Sequence, residues 1–192
     1  EFSNILSRFH VVLSSFNSND FPFGALNDST ITGDYLTVGF QSSGSEGRFL
    51  INNYAEVVDP NIQLSNGYVH GLNEALEPII YSSYEWLLEQ KGVSIFTELL
   101  EQTGWADSMG VEKLNMKNNP VRNRYSVFVE PDSVFQKRGI FSFAELAERF
   151  GTPGLPYTNP ENDLNRLAAY HILEQVLFLD DITTGIYNTF TS

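Results

Sequence analysis

Residues 66–78, NGYVHGLNEALEP, constrain the fold more than any other stretch of the chain. Asn66-Gly67 is a turn signal. Tyr68, His70 and Leu72 then alternate with Val69 and Gly71, the period of a half-buried strand, and Pro78 closes the run. The preceding sequence is of the same kind. Residues 35–40 and 48–51 are expected to be strands joined across the Gly/Ser run SSGSEG. Residues 54–58 and 62–64 read as two short strands either side of a turn at Asp59-Pro60-Asn61. Residues 1–16 read as the end of a helix, with Leu6 and His10 on one face. The first eighty residues are therefore expected to be mostly sheet.

The remainder carries helical signals. Residues 84–90 read as a short amphipathic helix. Ser94 is expected to cap a helix with Ile95, Phe96, Leu99 and Leu100 on one face, interrupted by Gly104. Residues 113–124 are polar and read as loop, and 125–129 as a strand. Ser142 and Glu145 have the spacing of a capping box, and Gly151 the position of a stop. Asn159 precedes Pro160 as a helix cap would, placing Leu164, Leu167, Ala168 and His171 on one face.

Charge narrows the function classes. The 192 residues have a net charge of −13, spread along the chain: nine acids against two bases up to Ile80, then fifteen against nine. Such a surface does not fit nucleic acid, whose phosphates need a basic stripe, and is poorly suited to anionic membranes. There is no cysteine, which excludes disulfides and thiolate metal sites. No apolar run is long enough to span a bilayer. With no initial Met and no signal peptide, the sequence reads as a cut piece or a mature fragment, with any membrane anchor outside this chain.

The chain also repeats itself. With Asn4 laid on Asn165, Leu6 meets Leu167 and His10 meets His171 at the same offset of 161 residues. Asp20 meets Asp181, Gly24 meets Gly185, Asn27 meets Asn188 and Thr30 meets Thr191, without a gap. The chain ends at the point of a repeat where it began.

Three motifs in consistent register resemble the fasciclin domain. SVFVEPDSVF at 126–135 resembles its first motif, with Asp132 at the Asn/Asp position, Phe135 closing it, and proline displaced by one residue. Tyr170-His171 resembles its tyrosine-histidine motif, with a second copy at Phe9-His10. The opening stretch resembles its second motif, with Gly71 and Asn73 in place of the usual apolar residue and Asp. The resemblance implies an α+β fold, a fasciclin-like β-sandwich or wedge flanked by helices. It implies a cell-surface protein, expected to be bacterial, acting as an extracellular adhesion or scaffold module without catalysis or cofactor. Its order is rearranged: 1–80 matches the back half of one repeat and 81–192 the front half of the next. The two are expected to form one module, circularly permuted within a chain or domain-swapped in a homodimer. Either arrangement should bring 127–129 beside the strand 68–72.

Candidate site residues follow from the same resemblance. In animal members the pentapeptide before Asn-Gly contacts integrins; here it is Asp59-Pro60-Asn61-Ile62-Gln63, with Asn61 where an acid is usual. Asp59, Pro60, Asn61 and Ile62 are thus candidate ligand contacts, with Tyr170 and His171, for a protein or polysaccharide at the cell surface. Asn66, Gly67, His70, Asp132 and Phe135 are structural landmarks. His70 and His171 are expected to be largely buried and hydrogen-bonded, near Asp132, because both fall on apolar faces. Three histidines make no spaced metal cluster. The rival reading is a glycan-processing hydrolase using paired acids such as Asp180-Asp181 or Glu145 and Glu148.

Overall fold

Antiparallel hairpins build the first part of the chain and short amphipathic helices the second. The computed structural model describes residues 2–43, 46–110, 112–114, 120–122, 124–179 and 182–191. These fall into two compact units, Glu1–Ile80 and Tyr81–Ser192. With helices and antiparallel sheet in one chain, the fold class is α+β.

Unit 1 starts with helix α1 (Phe2–Phe9), followed by strands β1 (Gly24–Ala25), β2 (Thr37–Ser43), β3 (Glu46–Ile51), β4 (Ala55–Leu64) and β5 (Gly67–Leu72). The strands form one antiparallel sheet in sequence order. β2 and β3 pair from Val38↔Ile51 to Ser43↔Glu46, which puts the Val38 and Ile51 side chains on the same face. That face is buried with Phe9, Leu36, Ala55 and Leu76. Asn52 and Asn53 turn the chain from β3 into β4 in the left-handed region, at φ 52° and 65°. Asparagine suits it because its short amide can bond locally: Asn52 Oδ1 accepts from Thr37 N–H at 3.0 Å.

Two expectations fail here. The helix ends at Phe9 rather than Phe16, because Val11-Val12-Leu13 leaves it as an extended segment, with Val12 bridging Thr30. Asp59-Pro60-Asn61 is not a turn between two strands but lies inside the ten-residue β4. Pairing shifts register between Val57 and Asp59 and again between Asp59 and Ile62. These are two bulges, each adding one residue on β4. The extra residues break the period-2 pattern, so a single bulged strand looks like two strands and a turn.

Unit 2 contains helices α2 (Ser83–Leu88), α3 (Ser94–Gln102), α4 (Trp105–Gly110), α5 (Asp132–Gln136), α6 (Phe143–Phe150) and α7 (Asp163–Tyr170). Its short strands are β6 (Glu112–Leu114), β7 (Pro120–Arg122), β8 (Ser126–Val127) and β9 (Ile172–Leu173). Phe96, Leu99, Leu100, Leu146, Leu164 and Ile172 are fully enclosed in its core. Each contributes about 1.5–3 kcal/mol by leaving water. α2 begins in a capping box: Ser82 Oγ accepts from Glu85 N–H at 3.1 Å, and Glu85 Oε2 from Ser82 N–H at 2.7 Å. Gly104, at φ 81°, separates α3 from α4 as expected.

The caps of the other helices differ from expectation. Ser94 is the first residue of α3 and does not cap it. The Asp132 carboxylate does so from a distance, accepting from Ser94 N–H at 3.1 Å, Ser94 Oγ–H at 2.8 Å and Ile95 N–H at 2.9 Å. Ser142 caps α6, but Glu145 reaches back to Phe141 N–H at 2.6 Å rather than to Ser142. Asn162, not Asn159, caps α7 through Leu164 N–H at 3.0 Å. The stretch 113–124 is not all loop, since β6 and β7 pair antiparallel from Glu112↔Arg122 to Leu114↔Pro120. The strand expected at 125–129 is confined to β8.

Asp132→Ala should cost about 1–2 kcal/mol, the worth of a helix cap, with Asp132→Asn recovering part of it in urea denaturation. A second outcome concerns alkaline pH. Burial first, then Glu101 and Asp107, raise the Tyr84 phenol above 10.0, and burial with Glu174 raises Tyr125. The stability this contributes is fully present below pH 10 and is lost as pH rises through the raised values, where the unfolded chain ionises first. Tyr84→Phe should flatten that loss in melts run from pH 9 to 12, and spectrophotometric titration should find phenols ionising late.

Candidate functional site

The β4–β5 hairpin gathers one set of candidate residues. Across the second bulge, Pro60 and Asn61 together oppose His70. Asn61 takes up a left-handed conformation, φ 64°. Its amide is bonded at both ends: Oδ1 accepts from Ser18 N–H and Nδ2 donates to Ser18 Oγ, both at 2.7 Å. Its backbone N–H donates to His70 Nδ1 at 3.4 Å, which places the ring proton on Nε2, where it is donated to Phe16 O at 2.9 Å. Phe21 lies 5.0 Å from the imidazole, ring to ring. His70 is half-buried rather than fully buried, and its partners are backbone groups, not Asp132.

The bulges decide what reaches solvent. Asn61 is drawn in against Ser18, while Asp59 and Pro60 stay exposed. Ile62 pairs directly with Val69, and Leu64 is two residues on, so the three side chains share one face. They are 40%, 46% and 51% exposed and form an apolar strip on the hairpin. Gly71 lies opposite Asp59, where a Cβ would sit 3.0 Å from that of Asp59 and push it aside by a few tenths of an ångström. Asn66 sits in the turn and Gly67 opens β5 opposite Leu64.

Unit 2 holds the remaining candidates. Tyr170 ends α7 and is 65% exposed. His171 follows, half-buried, with Nδ1 donating to Phe128 O at 2.8 Å and its ring edge-on to Phe96 at 5.2 Å. Phe135 is a core residue, and Asp132 serves α3 rather than either histidine. Among the described residues, no group of three His, Asp or Glu is placed to hold a metal ion. Glu145 and Glu148 lie on the exposed face of α6, with Glu145 occupied by Phe141 N–H. Asp180-Asp181 lies outside the described residues.

Residues 2–78 match the fasciclin domain family model. Over these residues the chain is similar to a fasciclin domain. A solved fasciclin domain pair from the insect cell adhesion molecule fasciclin I is similar, at 14% identity and a TM-score of 0.34, over 92% of this chain. The chain spans 58% of the length of that one. No curated protein matches the sequence. The fasciclin domain is a cell-adhesion-related module, and the matched segment contains the whole β4–β5 hairpin.

Sequence reasoning missed Ser18 and Phe16, which hold the hairpin from more than forty residues away. Pro60 inside a strand-like run was the available signal, because proline in a sheet is confined to edges and bulges. Asn61→Ala should lose about 1–3 kcal/mol from the broken clamp and the strained backbone. Asn61→Gly should restore the part due to backbone, as read from denaturation midpoints.

Proposed function

We propose that this fasciclin protein is a non-catalytic adhesion module, displayed outside the cell, that binds a protein partner through the β4–β5 hairpin. The observation that carries this is the strip of Ile62, Leu64 and Val69, exposed side by side on a strand held rigidly from beneath. Apolar anchors fixed on a scaffold suit a protein interface, whose energy is concentrated in a few desolvated side chains. Asp59 and Pro60 form its polar rim. The adhesion-related family supports an extracellular or cell-surface setting, and among the described residues no helix is long and apolar enough to cross a membrane. The hydrolase reading has less support, since Glu145 is bound to backbone.

Beads coated with the protein should adhere to their target cells through this strip. Asp59→Ala combined with Ile62→Ala should weaken adhesion about tenfold or more, the loss of one strong anchor, while the melting temperature holds. Unchanged adhesion would remove the hairpin from consideration. Binding to glycan arrays in place of matrix proteins would assign the strip to a polysaccharide instead.

A further inference from the structure

The clamp beneath the β4–β5 hairpin needs an uncharged imidazole. His70 Nε2–H donates to Phe16 O at 2.9 Å, and Nδ1 accepts from Asn61 N–H at 3.4 Å. A neutral imidazole has one donor nitrogen and one acceptor, and here both are used. An imidazolium has two donors and no acceptor. Protonated at Nδ1, His70 would set an N–H against the Asn61 N–H, and the two repel. The ring cannot turn away without giving up Phe16 O as well. Histidine is the side chain whose charge ordinarily changes between pH 5 and 8.

The charged groups around the ring have other places. Alternation along β5 puts Tyr68 and Leu72 on the His70 face. Asp59 lies opposite Gly71, and so on the other face of the hairpin. Asp20, two residues beyond Ser18, accepts from Asn17 N–H at 3.4 Å. Glu74 and His10 line the same groove as His70, and His10 Nε2 is taken by Leu76 N–H at 2.9 Å. Among the described residues, none of these carboxylates bonds His70. His171 in unit 2 is arranged differently. Its Nδ1 donates to Phe128 O at 2.8 Å, and no backbone N–H among the described residues donates to its ring. Protonating His171 therefore breaks no bond.

We propose that His70 is an acid-sensitive latch that governs the apolar strip of the hairpin. Neutral His70 holds the Asn61 N–H and keeps the second bulge of β4 in place. As pH falls, the ring takes up a proton for which the closed latch has no acceptor. The Asn61 N–H is released, and β4 loosens around Ile62, the next residue along. The open hairpin binds one more proton than the closed one, so acid favours opening and neutral pH restores the bond. Control of binding rests on the role proposed above for Ile62, Leu64 and Val69. The latch itself rests on the hydrogen bonds alone.

The test is amide hydrogen exchange on the full chain, followed by NMR from about pH 8 to about pH 5, each rate taken relative to the unfolded rate at that pH. Protection of the Asn61 amide should fall about tenfold as the His70 ring titrates, the worth of one hydrogen bond. The Phe128 amide, bonded to His171 O, should keep its protection, which separates a local release from acid unfolding. His70→Asn places an uncharged oxygen where Nδ1 stood and should remove the pH dependence at Asn61. Protection of Asn61 that holds through the His70 titration would overturn the proposal. So would an equal fall at Phe128, or the same fall in His70→Asn. In the unaltered protein the Asn61 amide and the His70 ring should shift with one midpoint, and separate midpoints would overturn the latch whether or not the variant folds. Adhesion of coated beads should fall with that same midpoint. Level adhesion while Asn61 opens would overturn the control of binding. Beads that fail to adhere at neutral pH would count against the strip as a binding site, and exchange at Asn61 would still decide the latch.

Discussion

A buried or half-buried backbone N–H or C=O must find a partner, and in this chain the groups left over by short helices and strands are met by side chains from far away. Imidazole rings do much of this. His10 bonds Leu76 N–H, His70 joins Asn61 to Phe16, and His171 bonds Phe128 O. Asp132 does the same for the start of α3, and Asn61 for Ser18. These contacts explain why short elements persist. The nine-residue α3 and the two-residue β8 are not stable alone, but Asp132 pins the start of the first and His171 bonds the carbonyl just beyond the second.

Ion pairing contributes little by comparison. Two salt bridges among the described residues, Arg48–Glu56 at 3.1 Å and Arg166–Asp163 at 4.0 Å, are both partly or largely exposed. Such pairs are worth about 0–1 kcal/mol each. The acidic excess of the chain is therefore a property of its surface and not of its framework. The two apolar cores and the side-chain bridges to backbone, the Asp132 carboxylate among them, carry the fold.

Sequence legibility followed the range of the interactions. The strand at 67–72 and the stop at Gly104 were readable, because alternation and glycine act within a few residues. The site residues of the hairpin could be named from motifs. Their geometry could not, since the bulges depend on Ser18 and Phe16, which no local pattern links to Asn61 and His70. Ser94 was misread for a similar reason: it has the chemistry of a cap, but a carboxylate 38 residues away occupies its place. Asn159 lost its position to Asn162 because both suit it and only the packing of Leu164 decides between them.

The two bulges of β4 also interrupt the alternation of its side chains. Val57 faces Leu72 and Asp59 faces Gly71, yet Leu72 and Gly71 are neighbours on β5 and point to opposite faces, so Val57 and Asp59 do too. In a regular strand, residues two apart share a face. Each bulge therefore absorbs one extra residue without moving the tip from its face, and Ile62 stays opposite Val69. Removing one residue at a bulge would straighten β4 and leave the pairs beyond it in place.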